Sequence, residues 1–208
     1  MRKNILAIGA HPDDIELGCG GSIIKHLELG DEVYVLVLTN GEKGNHSPGR
    51  KECLKSLRSL GIKRKNIFFA NFSDGHVSDD LNVVNFIEEL INRLKIVRVY
   101  THHFNDRHQD HRNCSYAVSS AARKVPEIFL FQGPSTKVSF EPHYYIELFD
   151  KHINKKIESM SCYKSQIKKG IVNLDWVRSL ARINGYTNNK KYAEAFSINH
   201  MFREGEYV

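Results

Sequence analysis

The sequence predicts an α/β chain in which a mostly parallel sheet lies between two layers of helices. Three observations lead there. Short apolar runs at residues 4–9, 32–39, 66–72, 97–101 and 127–131 alternate with stretches of helical period. The run Glu32-Val33-Tyr34-Val35-Leu36-Val37-Leu38-Thr39 is apolar at almost every position. A strand covered on both faces must read that way, and such strands pair in parallel. Two clusters rich in His and Asp directly follow the first and fourth runs. Parallel strands share one carboxyl edge, and open α/β sheets build their sites there.

Each element has its own signal. The first strand feeds a loop and then a helix reaching about Leu29, with Gly30 as its C-terminal cap. After the second strand, residues 40–49 make a polar, glycine-rich loop over the same sheet edge. Leu54, Leu57 and Leu60 share one face of a helix over 50–60, which Gly61 stops. Ser73-Asp74-Gly75 reads as a turn after the third strand. Asp80 caps a helix over 81–94. A helix over 111–122 follows the second polar cluster. Beyond the fifth strand, residues 138–148 hold a strand interrupted by Pro142. Asp150 then caps a long helix over 151–168, and helices are expected over 175–183 and 191–196.

At 208 residues and 41% hydrophobic composition, the chain suits one domain, residues 1–208, around one sizeable core. No apolar run approaches the ~18 residues of a membrane span. Met1-Arg2-Lys3-Asn4 runs into the first strand without the cleavage site of a secretory leader. The expectation is a cytoplasmic protein with no membrane insertion. Cys19, Cys53, Cys114 and Cys162 are scattered and form no Cys-x-x-Cys pair. Most read as core residues, with Cys19 set apart by its place near the first polar cluster, and none suggests a disulfide framework or zinc knuckle. The net charge of +6 comes from basic residues spread along the chain without interleaved aromatics. That argues against nucleic acid and for a small-molecule substrate, at most mildly anionic.

The chemistry sits in the two clusters. The first, Ala10-His11-Pro12-Asp13-Asp14-Ile15-Glu16-Leu17-Gly18-Cys19-Gly20-Gly21, crowds an imidazole and adjacent carboxylates at a strand end, with glycines that let the backbone turn tightly. Such groups repel and resist desolvation unless a cation sits among them. The second is His102-His103-Phe104-Asn105-Asp106-Arg107-His108-Gln109-Asp110-His111-Arg112. His11, Asp14 and one histidine of the second cluster make a two-His, one-carboxylate set that suits zinc and also accepts iron(II). His102 and His103 point to opposite sides of an extended chain, so one lines the pocket and neither is a first choice as ligand. A dinucleotide fingerprint fails, because Ile23 stands where a third glycine is needed and two aspartates would repel a pyrophosphate. A metal phosphoesterase more naturally uses two metals and bridging carboxylates. A non-catalytic sugar-binding protein would have no need of the full constellation.

His11-Pro12-Asp13-Asp14, followed by Glu16-Leu17-Gly18-Cys19-Gly20-Gly21, resembles the signature of the PIG-L/LmbE-like zinc N-deacetylases. Asp106-Arg107-His108-Gln109-Asp110-His111-Arg112 resembles that family's second motif, with Gln109 where proline is common. Thr39-Asn40-Gly41-Glu42-Lys43-Gly44, Cys162-Tyr163-Lys164-Ser165-Gln166 and Tyr192-Ala193-Glu194-Ala195-Phe196 are similar to segments of bacterial members. Those members include deacetylases of N-acetylglucosaminyl-malate in bacillithiol synthesis. The resemblance implies a Rossmann-like three-layer sandwich with His11, Asp14 and His111 as metal ligands. It implies Asp13 as general base, and His108 as the group that stabilises the oxyanion or protonates the leaving amine. Asp110 would orient His108. Arg50, one position off the family's spacing before Glu52, would bind substrate. The implied reaction is zinc-dependent removal of acetate from an N-acetylglucosamine conjugate, by a homo-oligomer of three or six chains.

Overall fold

The computed structural model describes residues 2–41 and 49–202. Five strands, β1 (Asn4–Gly9), β2 (Glu32–Thr39), β3 (Ile67–Phe72), β4 (Arg98–His102) and β5 (Glu127–Phe131), pair in parallel. Two more, β6 (Tyr144–Leu148) and β7 (Tyr192–Met201), extend the sheet antiparallel. The order is β3-β2-β1-β4-β5-β7-β6. The helices are α1 (Asp14–Glu28), α2 (Gly49–Leu60), α3 (Leu81–Leu94), α4 (Gln109–Ala121), α5 (Asp150–Met160), α6 (Lys164–Lys168) and α7 (Leu174–Tyr186).

Strand periodicity sorts the core into two layers, because successive side chains leave opposite faces. Ile5, Ala7, Val33, Val35, Val37, Phe129 and Phe131 pack on the side of α1, α2 and α5. Leu6, Ile8, Leu36, Leu38, Ile128 and Leu130 pack on the side of α3 and α4. The central strands β1 and β2 are thus buried on both faces, as their apolar runs require, while the edge strand β3 is only half-buried.

Three expectations are corrected. Residues 191–196 are not helical. Tyr192–Met201 is strand β7, inserted between β5 and β6 with Phe131 opposite Phe196. Pairing on both edges overrides the helix propensity of Ala and Glu. The helix over 151–168 is two helices, α5 and α6, separated around Cys162, and α5 begins at Asp150 itself. There the Phe149 N–H donates to His152 Nδ1 at 3.0 Å, so histidine, not Asp150, satisfies the helix entry. Finally, α4 starts at Gln109 with His108 as its cap, two residues before the expected start.

Reading outward from β1, strand order reverses between β1 and β4. A crevice opens at such a reversal beyond the carboxyl ends of the strands. Both sequence clusters emerge there, one after β1 and the other at the end of β4.

Candidate metal centre and active-site cavity

The loop after β1 turns sharply. Asp13 adopts φ 93°, a left-handed conformation rare outside glycine, and caps α1 without a side-chain hydrogen bond to it. Such backbone strain gathers at functional sites. The turn is held by Asp14, whose Oδ2 accepts the His11 N–H at 2.7 Å. Across the crevice, Asp106 Oδ1 accepts the His108 N–H at 2.8 Å, and His108 Nδ1 accepts the Asp110 N–H at 3.2 Å. These local bonds start α4 so that His108, Asp110 and His111 face the first loop.

The two clusters meet. His11 Nδ1 lies 3.2 Å from His111 Nε2 and 3.6 Å from Asp14 Oδ2, and His111 Nε2 lies 3.4 Å from Asp14 Oδ1. A tetrahedral ion with bonds of ~2.0–2.1 Å holds its ligand atoms roughly 3.4 Å apart. The other nitrogen of each histidine faces carboxylate. His11 Nε2 lies 3.1 Å from Asp110 Oδ2 and 3.2 Å from Asp74 Oδ1. His111 Nδ1 lies 3.3 Å from Asp106 Oδ1 and 3.2 Å from Ser135 Oγ. With a proton on each outer nitrogen, His11 Nδ1 and His111 Nε2, 3.2 Å apart, can both turn a lone pair to one ion. Histidines that bind metals are oriented in this way, with a carboxylate holding the outer N–H of each ring. The donor set fits a divalent metal. Among the described residues three overlapping ligand groups converge here: His11–His108–His111, Asp14–His102–His111 and His11–Asp74–Asp110.

The electrostatics agree. Burial opposes a charge on His11, yet its bonds to Asp110 and Asp14 prevail and push it up to about 10. Burial would raise Asp14, but His111 and His102 hold its carboxyl well below the ordinary range. Asp13 goes the other way: burial, with Asp14 and Glu16 beside it, drives its carboxyl well above the usual value. Burial, with His111 adding to it, pushes His102 down to about 4. The cluster as it stands demands positive charge, and a metal ion would supply it.

His11, Asp13, Asp14, Asp74, His108 and His111 line one cavity of about 370 Å³. The side-chain contact of Asp110 is with His11, and its contact with His108 is through the backbone. Arg50 lies elsewhere: its guanidinium sits 4.4 Å over the Phe69 ring, in a groove with Phe68, Phe86 and Arg93. Much of the 40–49 loop, including Glu42, Lys43 and Gly44, falls outside the described residues.

Three further residues stand close to the metal triangle. His102, not a first choice as ligand, places Nε2 3.1 Å from Asp14 Oδ2, accepts the Ala10 N–H and stacks on His111 at 4.0 Å. Asp74, a turn residue by sequence, lies 3.2 Å from His11 Nε2, and Asp106 lies 3.3 Å from His111 Nδ1. The same edge rule that flagged the two clusters covers Asp74, which follows the carboxyl end of β3.

The glycines of the first cluster serve close packing instead of a tight turn. Cβ atoms built on Gly18 and Gly21 would fall 2.2 Å from the Phe131 ring and 2.4 Å from Leu148.

Comparison with known proteins decides the family. Residues 6–122 match the family model PIG-L, GlcNAc-PI de-N-acetylase. The chain belongs to the PIG-L family. It is 36% identical over 172 residues to the uncharacterized deacetylase YaiS of Escherichia coli (strain K12), covering 79% of this chain and 92% of YaiS. It is 25% identical to the diacetylchitobiose deacetylase of Thermococcus kodakarensis, covering 92% of this chain and 81% of that enzyme. Its fold superposes, with TM-score 0.84 and 99% of both chains covered, on the 4-carboxy-2-hydroxymuconate hydratase GalB of Pseudomonas putida KT2440, at 18% identity. This PIG-L chain thus shares its fold with a hydratase, so the sheet alone does not choose the reaction and the site must.

Proposed function

We propose that the chain is a zinc-dependent N-deacetylase that hydrolyses the acetamide of an N-acetylglucosamine conjugate, releasing acetate and a free amine. The coarse part follows from family membership: a hydrolase of the deacetylase class acting on GlcNAc-related substrates. The finer part rests on one observation: His11 Nδ1 and His111 Nε2 approach to 3.2 Å beside the Asp14 carboxylate, with a carboxylate behind the other nitrogen of each ring.

His11, Asp14 and His111 would hold the ion. When bound, it supplies Lewis acidity, polarising the amide carbonyl and lowering the pKa of water toward ~7. Asp13, on the cavity wall next to Asp14, would be ionised beside the bound cation, which opposes the burial that raises it, and would then accept the proton of the attacking water and deliver it to the departing amine. The bond from the Asp110 N–H to His108 Nδ1 puts the proton of neutral His108 on Nε2. That N–H donates to the developing oxyanion. Asp74 and Asp110 keep His11 in its tautomer, and Asp106 does the same for His111. Arg50 is outside this cavity and has no part in these steps.

We place the activity in one domain of the cytoplasm, in a homo-oligomer of three or six chains, which light scattering would count. No described helix is long and apolar enough to cross a membrane.

An acetate-release screen tests the reading. It would cover free N-acetylglucosamine, diacetylchitobiose and N-acetylglucosamine joined to an acid or phosphate, with metal measured on the same sample. Acetate release with one zinc per chain is expected, and one iron would reassign the metal. Phosphate release with two metals would favour a phosphoesterase. Sugar binding without turnover, metal being bound, would leave only a binding protein.

A further inference from the structure

The glycine-rich part of the first cluster conceals a break in α1. Cys19 has φ −142° and ψ 18°, outside helical values, so α1 is a first turn, Asp14 to Gly18, followed by a longer helix. That first turn carries Asp14 and Glu16, and Asp13 caps it. An unbroken helix would send the Gly21 and Ser22 amides to the carbonyls of Leu17 and Gly18. Here the Glu194 carboxylate accepts from both, at 2.8 and 2.7 Å, and from Ser22 Oγ at 2.6 Å. On the other side of the break, Lys156 Nζ donates to Leu17 O at 2.7 Å and pairs with Glu194 Oε1 at 2.6 Å.

The arrangement is electrostatically complete. A carboxylate caps the amino end of the second helical piece and an ammonium caps the carboxyl end of the first, each where the helix dipole favours it. Both side chains are almost wholly buried, at 3% and 4% exposure, and each neutralises the other. The glycines make room for them. A Cβ on Gly20 would press on Lys156 Cγ at 3.4 Å, and one on Gly21 would lie 3.1 Å from Glu194 Oε1. Neither Lys156 nor Glu194 lines the cavity with the metal triangle. A buried ion pair is a poor source of net stability, so its presence calls for another reason.

We propose that Lys156 and Glu194 are positioning residues that splint the break in α1 and so hold the Asp13–Asp14 turn at the distance from His11 and His111 that metal binding needs. This deepens the functional reading above and rests on it. The splint comes from α5 and β7, so the far half of the chain sets the geometry of a loop near its start.

The test is the double substitution Lys156→Met/Glu194→Gln, which removes both charges and leaves neither buried alone. Zinc affinity is measured by competition with a chromogenic chelator, and kcat and KM on the best acetamide substrate. Affinity is expected to fall about 10–100-fold, as when groups behind a metal ligand are removed. The loss of turnover should fall on kcat and not on KM. A folded double variant with wild-type zinc affinity would overturn the proposal. If the variant does not fold, the wild-type protein decides by hydrogen exchange. Coupling is reciprocal, so zinc loading must slow exchange of the Gly21 and Ser22 amides. Unchanged exchange there would overturn the proposal equally. Wild-type protein that takes up no zinc would instead sink the functional reading beneath it.

Discussion

Gly18→Ala separates two reasons for a glycine in the first cluster. The added Cβ would fall 2.2, 2.3 and 2.7 Å from Phe131 Cδ2, Cγ and Cε2. Carbon atoms rest ~3.5–4.0 Å apart, so the ring must move by more than about 1 Å. It has no free space to take: Phe131 is 1% exposed, and its ring packs 4.8 Å from that of His102. His102 in turn touches Asp14. Overpacking of this kind destabilises by ~1–3 kcal/mol, while alanine's better helix propensity offsets ~0.5–1 kcal/mol. The net is a loss of roughly 1–2 kcal/mol, or about 2–8 °C in Tm for a domain of this size. Thermal melts with and without zinc measure it. Gly30→Ala is the control, since φ is +83° there and nothing lies within 4 Å. It should lose ~1–2 kcal/mol from left-handed backbone alone and leave zinc affinity intact, whereas Gly18→Ala should weaken it. A Gly18→Ala protein as stable as wild type or more so would show that propensity outweighs the clash, and the packing argument would fall.

Other outcomes follow from the same geometry. Asp13→Ala should keep its zinc and lose at least ~10²-fold in turnover, while His11→Ala should lose zinc as well; metal analysis beside acetate release distinguishes them, and an active Asp13→Ala removes the base assignment. Chelation should lower Tm by roughly 8–16 °C, since a site loaded at ~1,000 times its Kd contributes ~4 kcal/mol; a melt indifferent to chelator would mean no metal is held. His26 gives the pH prediction. Its Nδ1 meets Asp31 Oδ2 at 2.8 Å and its Nε2 meets Tyr100 OH at 2.9 Å, with Arg98 at 3.3 Å. Burial, aided by Arg98, outweighs Asp31 and pushes the ring down to about 4. The folded pKa lies below the unfolded ~6.5, so the unfolded chain protonates first. Stability is full above ~6.5 and falls as pH drops toward 4, by roughly 3 kcal/mol at most. Urea midpoints across that range should slope less in His26→Asn than in wild type; equal slopes would assign the loss to other groups.

What could be read without coordinates was whatever depends on local pattern. The central parallel strands announce themselves because a strand buried on both faces must be apolar at almost every position, as residues 32–39 are. The meeting of His11 with His111 followed from topology, since all parallel strands end on one edge. Pairing and packing across long sequence separations decided the rest. Tyr192-Ala193-Glu194-Ala195-Phe196 has the composition of a helix and becomes a strand because β5 and β6 pair with it on both sides. Gly18, Gly20 and Gly21 look like turn residues until Phe131, Lys156 and Leu148 are seen pressed against them. Asp110 stands two residues from His108 in sequence, yet its carboxylate reaches a histidine 99 residues away. The sequence by itself determined the five parallel strands and the set of chemical groups at their edge. Only the tertiary structure decided which nitrogen faces which oxygen, because hydrogen bonds are set by ångström-scale contacts between segments that the linear chain keeps far apart.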